Sequence, residues 1–162
     1  DWSVDQKEHP VMILIPGNQV TYREADKDFN RLNHFKVEEA GEKVAILALG
    51  DFYQRGEQLS AKIKAELGFT PTLINPRFAS GIDKELLESL SERHQMVITM
   101  EDGILSGGFG EKIASFYGSS DMKVKNYGLE KKFYDRYDPN ELLKEVGMTP
   151  AQIIADICNQ LK

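Results

Sequence analysis

The sequence predicts an α/β fold of three layers, built on a mostly parallel sheet of about five strands with one antiparallel edge strand. Two observations carry this expectation. Short apolar runs bounded by turn residues alternate with longer stretches of helical period, and the runs at 44–49 (VAILAL), 72–75 (TLIN) and 96–100 (MVITM) are nearly continuous in apolar character. Strands covered on both faces read this way, and strand–helix alternation brings successive strands parallel through right-handed crossovers.

Taken in order, residues 1–6 read as the tail of a helix and 11–15 (VMILI) as a strand with no partner before it, so the chain reads as beginning within a domain. Pro16, Gly17 and Asn18 signal a turn, and the polar, weakly periodic residues 19–42 read as a linker crossing a surface. The strand at 44–49 ends at Gly50 and Asp51, and a helix is predicted from about Tyr53 to Leu67, stopped by Gly68. The next strand, 72–75, is closed by Pro76. Asp83 is placed to cap a helix in which Leu86, Leu87 and Leu90 share a face, and that helix returns the chain to the strand at 96–100.

Residues 122–126 (MKVKN) alternate apolar and polar, as an exposed edge strand does. Pro139 after Asp138 opens a helix with Leu142, Leu143 and Val146 on one face and Gly147 as its stop. Pro150 after Thr149 repeats the device, with Ile153, Ile154, Ile157 and Leu161 on the buried stripe.

The 162 residues and their 41% hydrophobic content suit one ordinary domain. A net charge of −6, with Lys and Arg interspersed among acids, argues against a nucleic-acid or anionic-membrane surface. No run approaches the roughly 20 apolar residues that span a bilayer, and no basic, apolar, small-residue order opens the chain. The single Cys158 falls on an amphipathic helical pattern, which reads as a core or half-buried position and fits a cytoplasmic setting. His9, His34 and His94 are scattered, so no metal site is expected. There is no Gly-x-Ser-x-Gly elbow for a nucleophilic serine.

The richest stretch for chemistry is 96–117, where a buried strand meets Glu101 and Asp102, then a turn with Gly107, Gly108 and Gly110, then a helix that Ser106 is placed to cap. One reading is a tight turn packed against another chain or domain; the other is an anion site at the ligand-binding edge of an open α/β sheet. Glu101 or Asp102 could serve as a general acid or base there. Alternatively, one of the pair bonds to nearby backbone N–H groups and the other is solvated. Arg77, after Asn75 and Pro76, is placed to clamp a carboxylate or phosphate, or to tie down Asp83 or Glu101. The GGFG turn departs from the dinucleotide fingerprint and lacks the Lys-Ser/Thr pair of a P-loop, so nucleotide binding is not expected.

Four segments, VAILALG at 44–50, INPRFASGIDKELL at 74–87, VITMEDGILSGGFGEKI at 97–113 and NYGLEKKF at 126–133, lie in an order and spacing that resembles the C-terminal domain of the transketolase superfamily. The resemblance is nearest to the 1-deoxy-D-xylulose-5-phosphate synthase family, and EDG with GGFGEKI also resembles pyruvate dehydrogenase β subunits. It implies a parent of three domains, in which residues 1–18 are the remnant of the pyrimidine-binding domain, 19–42 a linker and 43–162 the C-terminal domain. The GDG signature and the cofactor-activating glutamate of such enzymes find no match, which implies no catalytic, cofactor-binding or metal residue in this chain. Thiamine diphosphate and Mg2+ are then cofactors of the parent enzyme, which would join pyruvate to glyceraldehyde 3-phosphate in isoprenoid and thiamine synthesis.

The implied partners are the other domains of the same polypeptide and a second copy in a homodimer, with roles for this domain in dimerisation and in walling the active site. One departure stands out: the family's arginine-bearing stretch is replaced by Leu14, Ile15, Pro16, Gly17 and Asn18, which puts the phosphorylated acceptor in doubt. A stand-alone interaction or anion-binding regulatory module, and a β-subunit-type domain of a 2-oxo acid dehydrogenase, are the alternatives. For the anion-binding and interface readings, the candidate residues are Arg77, Glu101, Asp102, Ser106, Gly107, Gly108 and Gly110.

Overall fold

The computed structural model describes residues 2–15 and 31–161, and the chain divides into two compact units, Asp1–Leu32 and Asn33–Lys162. In the first, a single helical turn, α1 (Trp2–Asp5), is the regular element among the described residues. The strand anticipated over 11–15 is not formed there. Met12, Ile13, Leu14 and Ile15 are all exposed, and an apolar run becomes a strand only where a neighbour completes its hydrogen-bond ladder. Residues 16–30, which include the first half of the anticipated linker and part of the departure at 14–18, lie outside the described residues.

The second unit is a five-stranded sheet in the order β1-β3-β2-β4-β5, made of β1 (Lys36–Glu39), β2 (Lys43–Ala48), β3 (Thr72–Asn75), β4 (His94–Ile104) and β5 (Lys123–Leu129). Strand β2 runs parallel to both β3 and β4, and β4 parallel to β5. Strand β1 pairs antiparallel with β3. The mostly parallel sheet with one antiparallel edge is therefore present, but that edge lies at 36–39, inside the stretch read as a linker. Its sequence, KVEE, has one apolar residue in four, so the pairing comes from β3 rather than from its own pattern. The opposite edge, β5, extends to Leu129, past the predicted end at 126.

Alternation along β2 sets the three layers. Val44, Ile46 and Ala48 face a core completed by Leu59 and Ile63 of α2 (Tyr53–Leu67), Leu143 of α5 (Pro139–Glu145), and Ile153, Ile154 and Ile157 of α6 (Pro150–Gln160). Ala45 and Leu47 face the other core, with Leu87 and Leu90 of α3 (Lys84–Leu90) and Phe109, Ile113 and Tyr117 of α4 (Phe109–Tyr117). Each such side chain contributes roughly 1.5–3 kcal/mol by leaving water, which is why the apolar strands hold the centre and the charged ones the edges.

Local signals fix most helix ends. Helix α2 stops at Gly68, whose left-handed φ of 74° returns its N–H to the Lys64 carbonyl. The Asp83 side chain accepts from Leu86 N at α3, Asp138 from Asn140 N and Glu141 N at α5, and Thr149 forms a capping box with Gln152 at α6. Helix α4 is the exception, and its start is built from elsewhere in the chain.

Candidate functional site

The sheet order reverses at β2, whose successors lie on either side of it, so the C-terminal ends of β2 and β4 form the position where open α/β sheets commonly hold ligands. A short 3-10 turn, Gly50–Phe52, follows β2 there, and Leu49 N donates to the Met100 carbonyl at 2.9 Å. The next residue of β4 is Glu101, only 5% exposed although it is a carboxylic acid.

Beyond Glu101, strand β4 continues to Ile104 with a register shift, Leu105 N bonds the Leu129 carbonyl at 2.9 Å, and Gly108 N bonds the Leu105 carbonyl at 3.1 Å. Gly107 takes φ of 77°, a turn conformation that a side chain disfavours. The reversal brings the start of α4 back over Glu101, whose Oε2 accepts from Phe109 N at 2.9 Å and Oε1 from Gly110 N at 2.8 Å. A helix start presents unpaired N–H groups and favours negative charge, and Glu101 supplies both an acceptor and a carboxylate. Gly107 N in turn donates to the Glu111 carboxylate.

The glycines are required by this closeness. A Cβ on Gly108 would lie 2.7 and 2.8 Å from the two Glu101 oxygens, and one on Gly110 would lie 2.5 Å from Thr99 Oγ1 and 2.8 Å from Asn126 Cγ. Thr99, fully buried, donates to Asn126 Oδ1 at 2.9 Å. Ser106 is exposed and does not cap α4; the N-cap position is Gly108, without a side-chain bond of its own. Asp102 is also exposed. Of the acidic pair, then, one side chain is bonded to backbone N–H groups and the other faces solvent. For Glu101 to move a proton to a substrate it would first have to release α4.

Arg77 belongs to a second network. Its own backbone has φ of 62°, its N–H donates to Asn75 Oδ1 at 3.1 Å, and its Nε and Nη2 donate to the His34 carbonyl at 3.2 and 2.7 Å. Asp83 meets the same segment from the other side: Oδ2 accepts from Phe35 N at 2.9 Å and lies 2.8 Å from His34 Nδ1. Arg77 and Asp83 together fasten the entry to β1 against the loop after β3. Lys112 Nζ donates to the Ala79 carbonyl at 2.8 Å, linking α4 to that loop.

Thr99, Asn126 and Gly128 around Glu101, and His34 and Phe35 beside Arg77, escape sequence reasoning. Thr99 leaves one trace, a polar residue in the middle of an apolar run. Gly128 leaves another, as a glycine inside a strand; its Cβ would meet the Gly103 carbonyl and Leu105 at 3.0 Å each. Elsewhere, burial and then the Asp156 carboxylate to which it donates push the Tyr127 hydroxyl above the usual tyrosine range. Among the described residues, no group of three or more His, Cys, Asp or Glu is arranged to hold a metal ion, and no helix is long and apolar enough to cross a membrane.

The family model described as transketolase, C-terminal domain, matches residues 33–153. The chain belongs to that family. The match starts at Asn33 and takes in β1 and the His34–Phe35 segment. The chain is similar to a 1-deoxy-D-xylulose-5-phosphate synthase of Shouchella clausii (strain KSM-K16), at 31% identity over 156 residues, covering 94% of this chain and 25% of that protein. A synthase of the same description from Prochlorococcus marinus (strain MIT 9211) is 28% identical over 157 residues, covering 94% and 24%. The chain thus spans about a quarter of the length of these curated relatives.

Among solved structures, a split gene transketolase described as an inactive beta4 tetramer superposes with a TM-score of 0.70 at 24% identity, covering 80% of this chain and 42% of that one. A 2-oxoglutarate:ferredoxin oxidoreductase from Magnetococcus marinus superposes with a TM-score of 0.51 at 15% identity, covering 83% and 20%. Both likenesses are of fold. They agree with the transketolase C-terminal architecture of a mixed, mostly parallel sheet between two helical layers.

Proposed function

We propose that this transketolase C-terminal domain serves a thiamine-diphosphate-dependent enzyme of the 1-deoxy-D-xylulose-5-phosphate synthase type, as a supporting and dimerisation domain that walls the active site and holds no catalytic residue. The observation that carries this reading is similarity to such synthases over 94% of the chain. The self-bonded Glu101 favours a supporting role for the glycine turn, because the N–H groups an anion would use at the start of α4 are already held by a carboxylate. The cofactor's site is assigned to the other domains, whether on the same polypeptide or on a separate subunit.

Residues 1–18 are assigned to the preceding, pyrimidine-binding domain, where the exposed run at 11–15 would find a sheet to join, and the assembled enzyme is assigned to a soluble cytoplasmic homodimer. Native protein containing this chain is captured from its source cell with an antibody raised against the chain, then supplied with thiamine diphosphate, Mg2+, pyruvate and glyceraldehyde 3-phosphate. The expected outcome is release of carbon dioxide and formation of 1-deoxy-D-xylulose 5-phosphate, with no turnover by the 162-residue chain alone. Turnover, or tight calorimetric binding of thiamine diphosphate, by the chain alone contradicts the proposal. Activity with an unphosphorylated aldehyde in place of glyceraldehyde 3-phosphate would revise only the acceptor, the point on which the missing arginine at 14–18 bears.

A further inference from the structure

At the sheet's other end, the N-terminal edge, a buried histidine joins three chain segments. His94, the first residue of β4, is 9% exposed. Its Nδ1 lies 2.9 Å from the Leu90 carbonyl at the end of α3, and its Nε2 lies 2.8 Å from Thr72 Oγ1, at the start of β3. The Thr72 oxygen also accepts from Gly41 N, in the turn between β1 and β2, at 2.8 Å. Gly41 is pressed into place, since a Cβ there would lie 2.1 Å from the Thr70 carbonyl.

Only one arrangement of protons satisfies all of these groups. A carbonyl oxygen can only accept, so Nδ1 carries a hydrogen toward Leu90. A neutral ring then leaves Nε2 as an acceptor, and the Thr72 hydroxyl donates to it while receiving the Gly41 N–H. The result is a directed relay, from Gly41 through Thr72 to His94 and on to Leu90. A second ring proton would sit on Nε2 and face the Thr72 oxygen. The hydroxyl hydrogen would then have to turn away from its only acceptor, as Gly41 N and His94 Nε2 are the bonding partners of that hydroxyl among the described residues.

Among the described residues, no carboxylate bonds the ring to compensate a positive charge. The ionisable side chains on the converging segments are Glu42 and Lys43 in the β1–β2 turn and the start of β2, Lys84, Glu85 and Glu88 on α3, and Glu92 and Arg93 just before His94; all are exposed. Thr70, Pro71 and Thr72, leading into β3, contribute none. Burial works against the charged ring and so does the Arg93 guanidinium, while the bond to Leu90 works the other way; the sum holds the histidine below its ordinary range.

We infer that the Gly41–Thr72–His94–Leu90 relay is a proton-operated latch: uptake of one proton at His94 releases the β1–β2 turn and the start of β3 from the α3–β4 junction. The turn joins antiparallel edge strand β1 to β2, so opening the latch loosens that edge while the central strands β2 and β4 stay buried. The latch acts at the sheet edge opposite Glu101 and is independent of the proposed enzymatic role.

The test is a pH titration of the isotopically labelled 162-residue chain by NMR, following the His94 ring nitrogens together with the Gly41 and Thr72 amides. The expected result is a neutral ring protonated on Nδ1, a midpoint below 6.5, and Gly41 and Thr72 amide shifts that move with the same midpoint. Below it, the closed population falls about tenfold for each pH unit. Thr72→Ser keeps the hydroxyl and is expected to keep the coupling, whereas Thr72→Val leaves Gly41 indifferent to the His94 titration. The wild-type titration decides the matter even if the valine variant does not fold. A midpoint at or above 6.5, the other tautomer, or Gly41 and Thr72 amides that ignore His94 overturns the latch.

Discussion

The two ends of the sheet are each closed by a buried ionisable side chain bonded to backbone, but they are closed in opposite senses. At the C-terminal end, Glu101 faces two N–H donors of α4, so a carboxylate meets its partners with nothing left over. At the N-terminal end, His94 faces a carbonyl on one side and a hydroxyl on the other, a pair satisfied by the neutral ring alone. The difference teaches that burial does not by itself say which protonation state a site wants; the donors and acceptors around it do. It also bears on function, because, of the two sequence readings of the glycine turn, a packed turn and an anion site, the joint formed by the bonds to Glu101 favours the first.

Removing the joint should have the largest effect. Glu101→Ala leaves two buried N–H groups without an acceptor and is expected to lower unfolding free energy by about 3 kcal/mol in urea melts, with Glu101→Gln losing less because one oxygen remains. A loss under about 1 kcal/mol for the alanine variant would mean water or a neighbour replaces the carboxylate. Crowding the joint comes next. Gly110→Ala places a methyl 2.5 Å from Thr99 Oγ1 and is expected to cost about 2 kcal/mol, whereas an unchanged melt would show that the Thr99–Asn126 pair yields easily.

His94 supplies a pH dependence with a definite sign. Its native pKa is depressed below the 6.5 of an unperturbed histidine, chiefly by burial, so between those two values the unfolded chain binds more protons than the folded one. The histidine's contribution is fully present above 6.5 and is lost as pH falls through that window, with a slope of at most about 1.4 kcal/mol per pH unit. The slope should vanish in His94→Gln; if it persists there, another group carries it. The smallest effect is expected at the other half of the acidic pair, where Asp102→Asn, on an exposed side chain, should change stability by less than about 0.5 kcal/mol. Similar losses at 101 and 102 would erase the distinction between a bonded and a solvated acid.

Much of this fold was legible because its signals are local. The runs at 44–49, 72–75 and 96–100 became β2, β3 and the middle of β4; Gly68 and Gly147 took the left-handed φ that stops a helix; and Asp83, Asp138 and Thr149 capped α3, α5 and α6. What stayed hidden depends on partners distant in sequence. Strand β1 is made mostly of charged residues, and its pairing is decided by β3. His94 and Gln95 precede the apolar run, yet β4 begins at His94 because it pairs with Lys43 of β2. Ser106 had the residue type and place for a cap, but the cap came from Glu101, eight residues before Phe109 and reached only after the chain reverses. The five residues at 11–15 show the converse: a strong strand pattern with no ladder among the described residues to join.

The most direct test of the joint at Glu101 is a titration of the labelled wild-type chain with inorganic phosphate and pyrophosphate, watching the Phe109 and Gly110 amides. If Glu101 already holds those N–H groups, the two signals stay fixed up to high anion concentration. Saturable shifts of both, at low millimolar anion or below, would show that the carboxylate gives way to a ligand, and the glycine turn would have to be counted as a binding site after all.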